Sequence, residues 1–130
     1  MGGNGTFAAG NIVKYRWKTV GTVHGVKILE PISGSHKLPE EAHASRMYIL
    51  QHPQNGHFAQ LRIYDKRHRL RFEIGYHREP SLDKSCVPVL HYHVYTYPPG
   101  SSLFKRSEAR MATAKMWRKL GKFMKGVVFE

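Results

Sequence analysis

The sequence predicts a single α+β domain in which an antiparallel sheet of about four to six strands packs on a C-terminal amphipathic helix. Strand-forming residues follow a period of two across residues 47–97, turn-forming residues separate the runs, and apolar residues recur at helical spacing near the C-terminus. A length of 130 residues with a hydrophobic fraction of 41% suits one domain with its own core.

The N-terminal part of the chain predicts a tail, two strands and a short helix. The first ten residues include four glycines and are expected to form a flexible tail, which leaves the domain at residues 11–130. Apolar runs at residues 12–20 and 22–29 are strand candidates. Pro39 followed by two glutamates suits the first turn of a helix, so a short helix is expected over residues 39–44.

The rest of the chain predicts a meander followed by a helix. Four runs enriched in strand formers occur at residues 47–52, 57–65, 69–77 and 89–97, with reversals at 53–56 and 65–68. A segment rich in proline, glycine and serine at residues 98–102 ends the meander. From residue 107 to residue 124 the helical spacing of apolar residues predicts an amphipathic helix with one basic flank.

Alternation of side chains divides the last three runs into two faces. One face is apolar and is expected to pack on the C-terminal helix; it comprises Ala59, Leu61, Ile63, Leu70, Phe72, Ile74, Tyr76, Leu90, Tyr92, Val94 and Thr96. The other is expected to form an open, chemically rich surface; it comprises Arg62, Tyr64, Arg71, Glu73, His77, His91, His93 and Tyr95. The loop at residues 78–88 should bring His77 close to His91, because the two residues lie at matching distances from the centre of the loop.

Histidines on an open face suggest acid–base chemistry on a phosphodiester. Two histidines can divide the roles of general base and general acid, and an arginine can bind the phosphate. The predicted activity is therefore a metal-independent ribonuclease. Its candidate catalytic residues are His77, His91, His93, Glu73 and Tyr95. Its candidate phosphate-binding residues are Arg62, Arg71, Lys115, Arg118, Lys119 and Lys122.

Two alternatives stay open for the histidines. His77, His91 and His93 could supply three neutral nitrogens to a zinc-like centre, but only Glu73 would be near them as a carboxylate. They could equally be polar residues on the wet side of a half-exposed sheet. The acid–base interpretation ranks above the metal site, so no metal or cofactor is predicted.

Charge points to an anionic partner. The net charge is +12, and residues 101–130 carry eight Lys or Arg against two Glu, which favours nucleic acid, either RNA or DNA. The single cysteine, Cys86, excludes an intrachain disulfide and a Cys-rich zinc site. Without a membrane-length apolar run or a signal-peptide pattern at the N-terminus, a soluble, cytoplasmic protein without a membrane partner is expected.

Four segments carry a family resemblance: MGGNGTFAAG, LPEEAHASRMYI, QLRIYDKRHRLRFEI and HYHVY. Together, over most of residues 1–97, they resemble small phage- and prophage-encoded proteins of Gram-positive bacteria, related to minor-head-protein C-terminal domains and polymorphic-toxin-like domains. The resemblance implies a toxin-like protein of a bacterial host cytoplasm, with phage proteins among its partners. The alternative is a non-enzymatic phage structural or accessory protein with a basic contact surface. The chain departs from such proteins at His68, where a glycine is usual, and in its basic C-terminal segment.

Overall fold

The computed structural model describes residues 16–32 and 37–129, and the strands in this part of the chain form one mixed sheet. Its eight strands within the described residues are β1 (Trp17–Val23), β2 (Val26–Pro31), β3 (Met47–Gln51), β4 (Phe58–Tyr64), β5 (Leu70–His77), β6 (Val89–Thr96), β7 (Lys105–Arg106) and β8 (Arg110–Met111). A short helix, α1 (Ala114–Leu120), and a 3-10 turn (Gly121–Phe123) follow. The predicted N-terminal tail lies outside the described residues.

The order in the sheet is β1, β2, β3, β4, β5, β6 and β7, with β8 also pairing with β6. Every pair is antiparallel except β2 with β3, which run parallel. The predicted α+β class is confirmed. The prediction of four to six strands in an antiparallel meander is wrong, because β7 and β8 extend the sheet beyond β6 and because β2 runs parallel to β3.

The parallel pair explains why the helix predicted at residues 39–44 is wrong. A parallel connection must cross a face of the sheet, and residues 37–46 do so in extended and bent conformations. Their backbone groups bond to the sheet instead of to each other: Ala42 N–H donates to the carbonyl of His68 at 3.0 Å, and Glu41 bridges to Arg69. Tertiary hydrogen bonds therefore replace the intrahelical ones that Pro39 and the two glutamates favoured.

Two cores lie on the two faces of the sheet. On the α1 side, Leu61, Ile74 and Leu90 pack with Phe123 and Met124, as the alternation of apolar residues predicts. On the other side, buried apolar residues come in part from residues 37–46, which we call the crossing segment. This second core includes Leu38, Ala42, Tyr48, Leu50, Tyr64, Leu70 and Tyr95. The sheet is thus covered on both faces.

Bulges move two residues to the face opposite the predicted one. Ile63 pairs with Phe72 but Tyr64 pairs with Leu70, so Arg71 is an extra residue on β5. The alternation inverts there, and Leu70 is fully buried in the second core beside Tyr64. A bulge at Ala59 has the same effect, and Ala59 also joins the second core.

The C-terminal helix is shorter than the helix predicted over residues 107–124. Residues before α1 continue the ladder of β6: Ser107 N–H donates to the Val94 carbonyl at 2.9 Å, and Ala112 N–H donates to the Leu90 carbonyl at 3.0 Å. Thr113 then caps α1, because its side chain accepts from Met116 N–H at 3.2 Å. Among the described residues, no helix has the length and apolar content needed to cross a membrane.

Candidate functional site

Most of the sheet face that was predicted to be open is buried. His91 is 1% exposed and Tyr95 is 2% exposed, and Arg62, Glu73 and His93 are nearly as buried. Part of the cover is the segment at residues 37–46, and part is Phe104, whose ring packs edge to face on Tyr95 with 4.9 Å between centroids. The prediction of an open surface is therefore wrong, although the predicted alternation of β6 holds, with His91, His93 and Tyr95 opposite Leu90 and Tyr92.

Arg62 and Glu73 form a buried ion pair at the centre of this face. Arg62 donates to Glu73 Oε2 from Nε at 2.9 Å and from Nη2 at 2.6 Å. Its Nη1 donates to the carbonyls of Leu38 and Pro39, at 2.8 and 3.3 Å. Arg62 therefore fixes the crossing segment to the sheet, and its donors face protein acceptors and not solvent.

The other oxygen of Glu73 faces two further donors. Arg106 Nη2 donates to Oε1 at 3.2 Å, and the Tyr95 hydroxyl lies 3.4 Å from it. Burial alone would raise the pKa of Glu73, but the positive charges of Arg62 and Arg106 outweigh it and hold this pKa below its ordinary value. Burial raises the pKa of Tyr95, with the Glu73 charge adding to the effect. Glu73 is thus an ionised structural acceptor at neutral pH.

Arg71, the bulge residue, differs from Arg62 in being partly exposed. Its Nε donates to the Tyr95 carbonyl at 3.1 Å, and its Nη1 lies 3.6 Å from Asp65 Oδ2. Arg71 is thereby held at the β4–β5 turn, away from the histidines at the other end of β5.

A second polar cluster lies where β5 ends and β6 begins. The rings of His77 and His91 meet edge to face with centroids 4.5 Å apart, and His93 is next to His91 at 5.7 Å. Glu79, in the loop after β5, places Oε1 3.9 Å from His91 Nε2. One ligand atom from each of His77, Glu79 and His91 lies within 4.8 Å of the others. We call these three residues the His–Glu cluster.

Hydrogen bonds fix the orientation of each member of the cluster. His77 Nδ1 lies 2.8 Å from the Arg78 carbonyl, and His91 Nδ1 lies 2.8 Å from the Val89 carbonyl. A carbonyl only accepts, so each Nδ1 carries the proton and each neutral ring presents a lone pair at Nε2. The Ser81 hydroxyl donates to Glu79 Oε2 at 2.9 Å, which leaves Oε1 for the cluster.

Gly75 gives the two rings the space to meet. It pairs directly with His91 across β5 and β6. A Cβ at this position would lie 3.3 Å from His77 Nε2 and Cδ2 and 3.5 Å from His91 Cε1. A glycine in the middle of a strand usually marks such a close approach. Any side chain here would push on the ring of His77.

The geometry of the cluster bears on acid–base cleavage. Burial lowers the pKa of His91, and the neighbouring His77 adds to this effect, against the Val89 carbonyl and Glu79. The Ser81 hydroxyl lowers the pKa of Glu79. A two-histidine ribonuclease needs its acid and base on either side of the phosphate. The edge-to-face contact of His77 and His91 leaves no space for a phosphate between the rings.

Basic residues form a stripe on α1 and the turn after it. Four exposed residues share one side, because Lys115 precedes the neighbours Arg118 and Lys119 by three and four residues and Lys122 follows them by four and three. Within the described ranges, none of these four residues forms an ion pair with an acidic residue. We call this set the basic stripe. Like charges at this spacing repel, so an anionic partner would stabilise the helix.

A groove of about 480 Å³ lies beside the basic stripe, between α1 and the sheet. Lys115 and Lys119 line it together with apolar side chains, among them Phe72, Tyr92 and Met116. Phe72 is 40% exposed there because the short helix does not extend over it. The groove thus combines aromatic surface with positive charge.

Glu79 is the member of the site that sequence reasoning missed. It belongs to a loop, and the alternation of side chains assigns faces to strand residues alone. A signal was present, since Glu79 follows His77 by two residues just before the chain turns back toward His91. Glu73 was expected to lie near the histidines as a supporting carboxylate. In the structure it pairs with Arg62 instead.

Compared with known proteins, the chain matches no protein family, no curated protein and no solved structure. Functional conclusions therefore rest on the geometry of the basic stripe, the groove and the His–Glu cluster.

Proposed function

We propose that the protein binds single-stranded nucleic acid in the groove beside α1. The observation that carries the proposal is the combination of Phe72 and Tyr92 with Lys115 and Lys119 along one groove. Proteins that bind single strands pair a positively charged track for phosphates with aromatic faces on which bases stack. The net charge of +12 supports long-range attraction of a polyanion.

The proposal is for binding and not for metal-independent cleavage. The contact between His77 and His91 does not favour a two-histidine mechanism, and Arg62 is already engaged by Glu73. A phage association and a site of action in a bacterial cytoplasm belong to the proposal as well, and they are supported only by the resemblance of the sequence segments quoted above. Contact of the basic surface with a phage protein is the rival outcome.

The test is fluorescence anisotropy with labelled 20-nucleotide single-stranded RNA, single-stranded DNA and duplex DNA over a series of salt concentrations. We expect tighter binding to single strands. Changing the four residues of the basic stripe to Gln should reduce the magnitude of the slope of log K against log salt concentration by up to about 3. Each phosphate contact to a single strand contributes about 0.7 to this slope. Phe72→Ala should weaken binding roughly 5- to 160-fold if one base stacks there.

Matched controls use residues elsewhere on the surface. Lys27, Lys66, Arg67 and Lys84 are exposed, and changing all four to Gln lowers the net charge by the same amount. Leu103, 77% exposed, is the control for Phe72. Equal losses in the stripe variant and its control would overturn the proposal in favour of non-specific attraction. If the protein binds none of the three nucleic acids, the proposal is overturned and a protein partner is favoured.

A further inference from the structure

We propose that His77, Glu79 and His91 bind one divalent first-row transition metal ion of the zinc class. Two imidazole nitrogens and one carboxylate oxygen form a donor set that zinc and iron(II) sites use, with further positions open to water or substrate. The three donor atoms already converge to within 4.8 Å of one another. This inference goes beyond nucleic-acid binding and does not depend on it.

The strongest support is the set of groups behind the ligands. A histidine that binds a metal nearly always donates its other ring N–H to a carbonyl or carboxylate, which fixes the ring and the tautomer. His77 and His91 do so through the carbonyls of Arg78 and Val89, at 2.8 Å each. Glu79 instead accepts at its far oxygen, Oε2, from the Ser81 hydroxyl at 2.9 Å. All three ligands are therefore oriented from outside the cluster.

The distances are compatible with one ion after a small closure. Ligands about 2.0–2.2 Å from a tetrahedral zinc lie about 3.4 Å from each other. The His91 Nε2 to Glu79 Oε1 distance is 3.9 Å, and all separations fall within 4.8 Å. His91 is fixed by burial, whereas His77 is exposed and Glu79 lies in a loop, so these two side chains can supply the movement.

Gly75 supplies an independent argument. A glycine in the interior of a strand between two bonded strands lowers the stability of the folded state. It loses more backbone conformational entropy on folding than other residues do, and it has no side chain to pack. Here its missing Cβ leaves the space that His77 and His91 need to converge. The exposed side of His77 leaves the cluster open to solvent, so a metal ion can enter and retain a bound water.

The experiment is titration of Zn²⁺ into untagged, chelator-treated full-length protein by calorimetry, followed by absorption spectroscopy with Co²⁺ as a geometric probe. We expect one Zn²⁺ per chain and a thermal midpoint that rises with Zn²⁺. Ser81→Ala should lower the affinity roughly 10- to 100-fold, the range for residues that support metal ligands. His77→Gln with Glu79→Gln should lower it further. Gly75→Ala should also weaken binding, although it removes no ligand.

The control variant is His57→Gln with Glu40→Gln, which removes one exposed histidine and one exposed glutamate away from the cluster. It should bind Zn²⁺ as the unchanged protein does, and circular dichroism should confirm that both double variants are folded. Absence of stoichiometric binding, or equal losses in the two double variants, would overturn the proposal. Because no nucleic acid is present, the result is independent of the groove.

Discussion

Replacing Arg62 with Met tests whether the buried ion pair holds the crossing segment on the sheet. The variant would remove two hydrogen bonds to Glu73 and those to the carbonyls of Leu38 and Pro39. Breaking a buried pair costs about 3–5 kcal/mol, mainly because the remaining charge is uncompensated. Glu73 would keep Arg106, which is half exposed, so we place the expected loss in the unfolding free energy near 3 kcal/mol.

Urea denaturation followed by circular dichroism measures this loss. Arg62→Met with Glu73→Leu should be more stable than Arg62→Met alone by about 1 kcal/mol or more, since no charge is left buried. Lys18→Met breaks an exposed ion pair with Glu30 and should cost less than about 1 kcal/mol. If Arg62→Met costs no more than Lys18→Met, or if the double variant is the less stable one, the pair does not act as we describe.

Three further predictions concern the loss of stability in acid, the hydroxyl group of Tyr64 and the N-cap of α1. The pKa of Glu73 is lower in the folded than in the unfolded protein, so ionised Glu73 stabilises the fold fully above the unfolded pKa of about 4.3. This stabilisation is lost as the pH falls through the folded pKa. Between about pH 5 and about pH 3, the urea midpoint should therefore fall more for the unchanged protein than for Arg62→Met with Glu73→Leu. Tyr64→Phe removes a buried 2.6 Å hydrogen bond to the Pro39 carbonyl and should lower the unfolding free energy by about 1 kcal/mol, a loss that a shift in the urea midpoint detects. Thr113→Ala removes the cap of α1 and should cost about 1 kcal/mol in thermal unfolding, whereas Thr113→Ser should cost little; equal losses would contradict a capping role.

Local periodicity was enough to predict the face of the sheet that packs against α1 and the turn after it. Leu61, Ile74 and Leu90 lie on regular stretches of strand, where alternation is strict, and all three pack in the core beneath the α1 segment. Leu70 and Ala59 also belong to apolar runs, but each is next to or at a bulge, which inverts the alternation. Bulges depend on the pairing of two strands, so a single run does not reveal them.

The candidate site was predictable in part for the same reason. His77 and His91 follow from the antiparallel hairpin, and the structure brings their rings together. Their surroundings depend on residues distant in sequence, since the crossing segment at residues 37–46 covers the sheet face that alternation alone left open. Glu79 reaches the cluster through a loop conformation held by Ser81, and no periodic pattern encodes that conformation.

The two short strands at the end of the sheet have a consequence for solubility. β6 carries the run VLHYHVYT, rich in β-branched and aromatic residues, and an exposed edge of this kind invites pairing with a second chain. β8 covers it at His91 and Tyr92, β7 covers it at Tyr95 and Thr96, and Ser107 bonds to Val94 between them. At this edge of the sheet the outermost strands are thus only two residues long and rich in Lys and Arg, which makes them poor templates for aggregation.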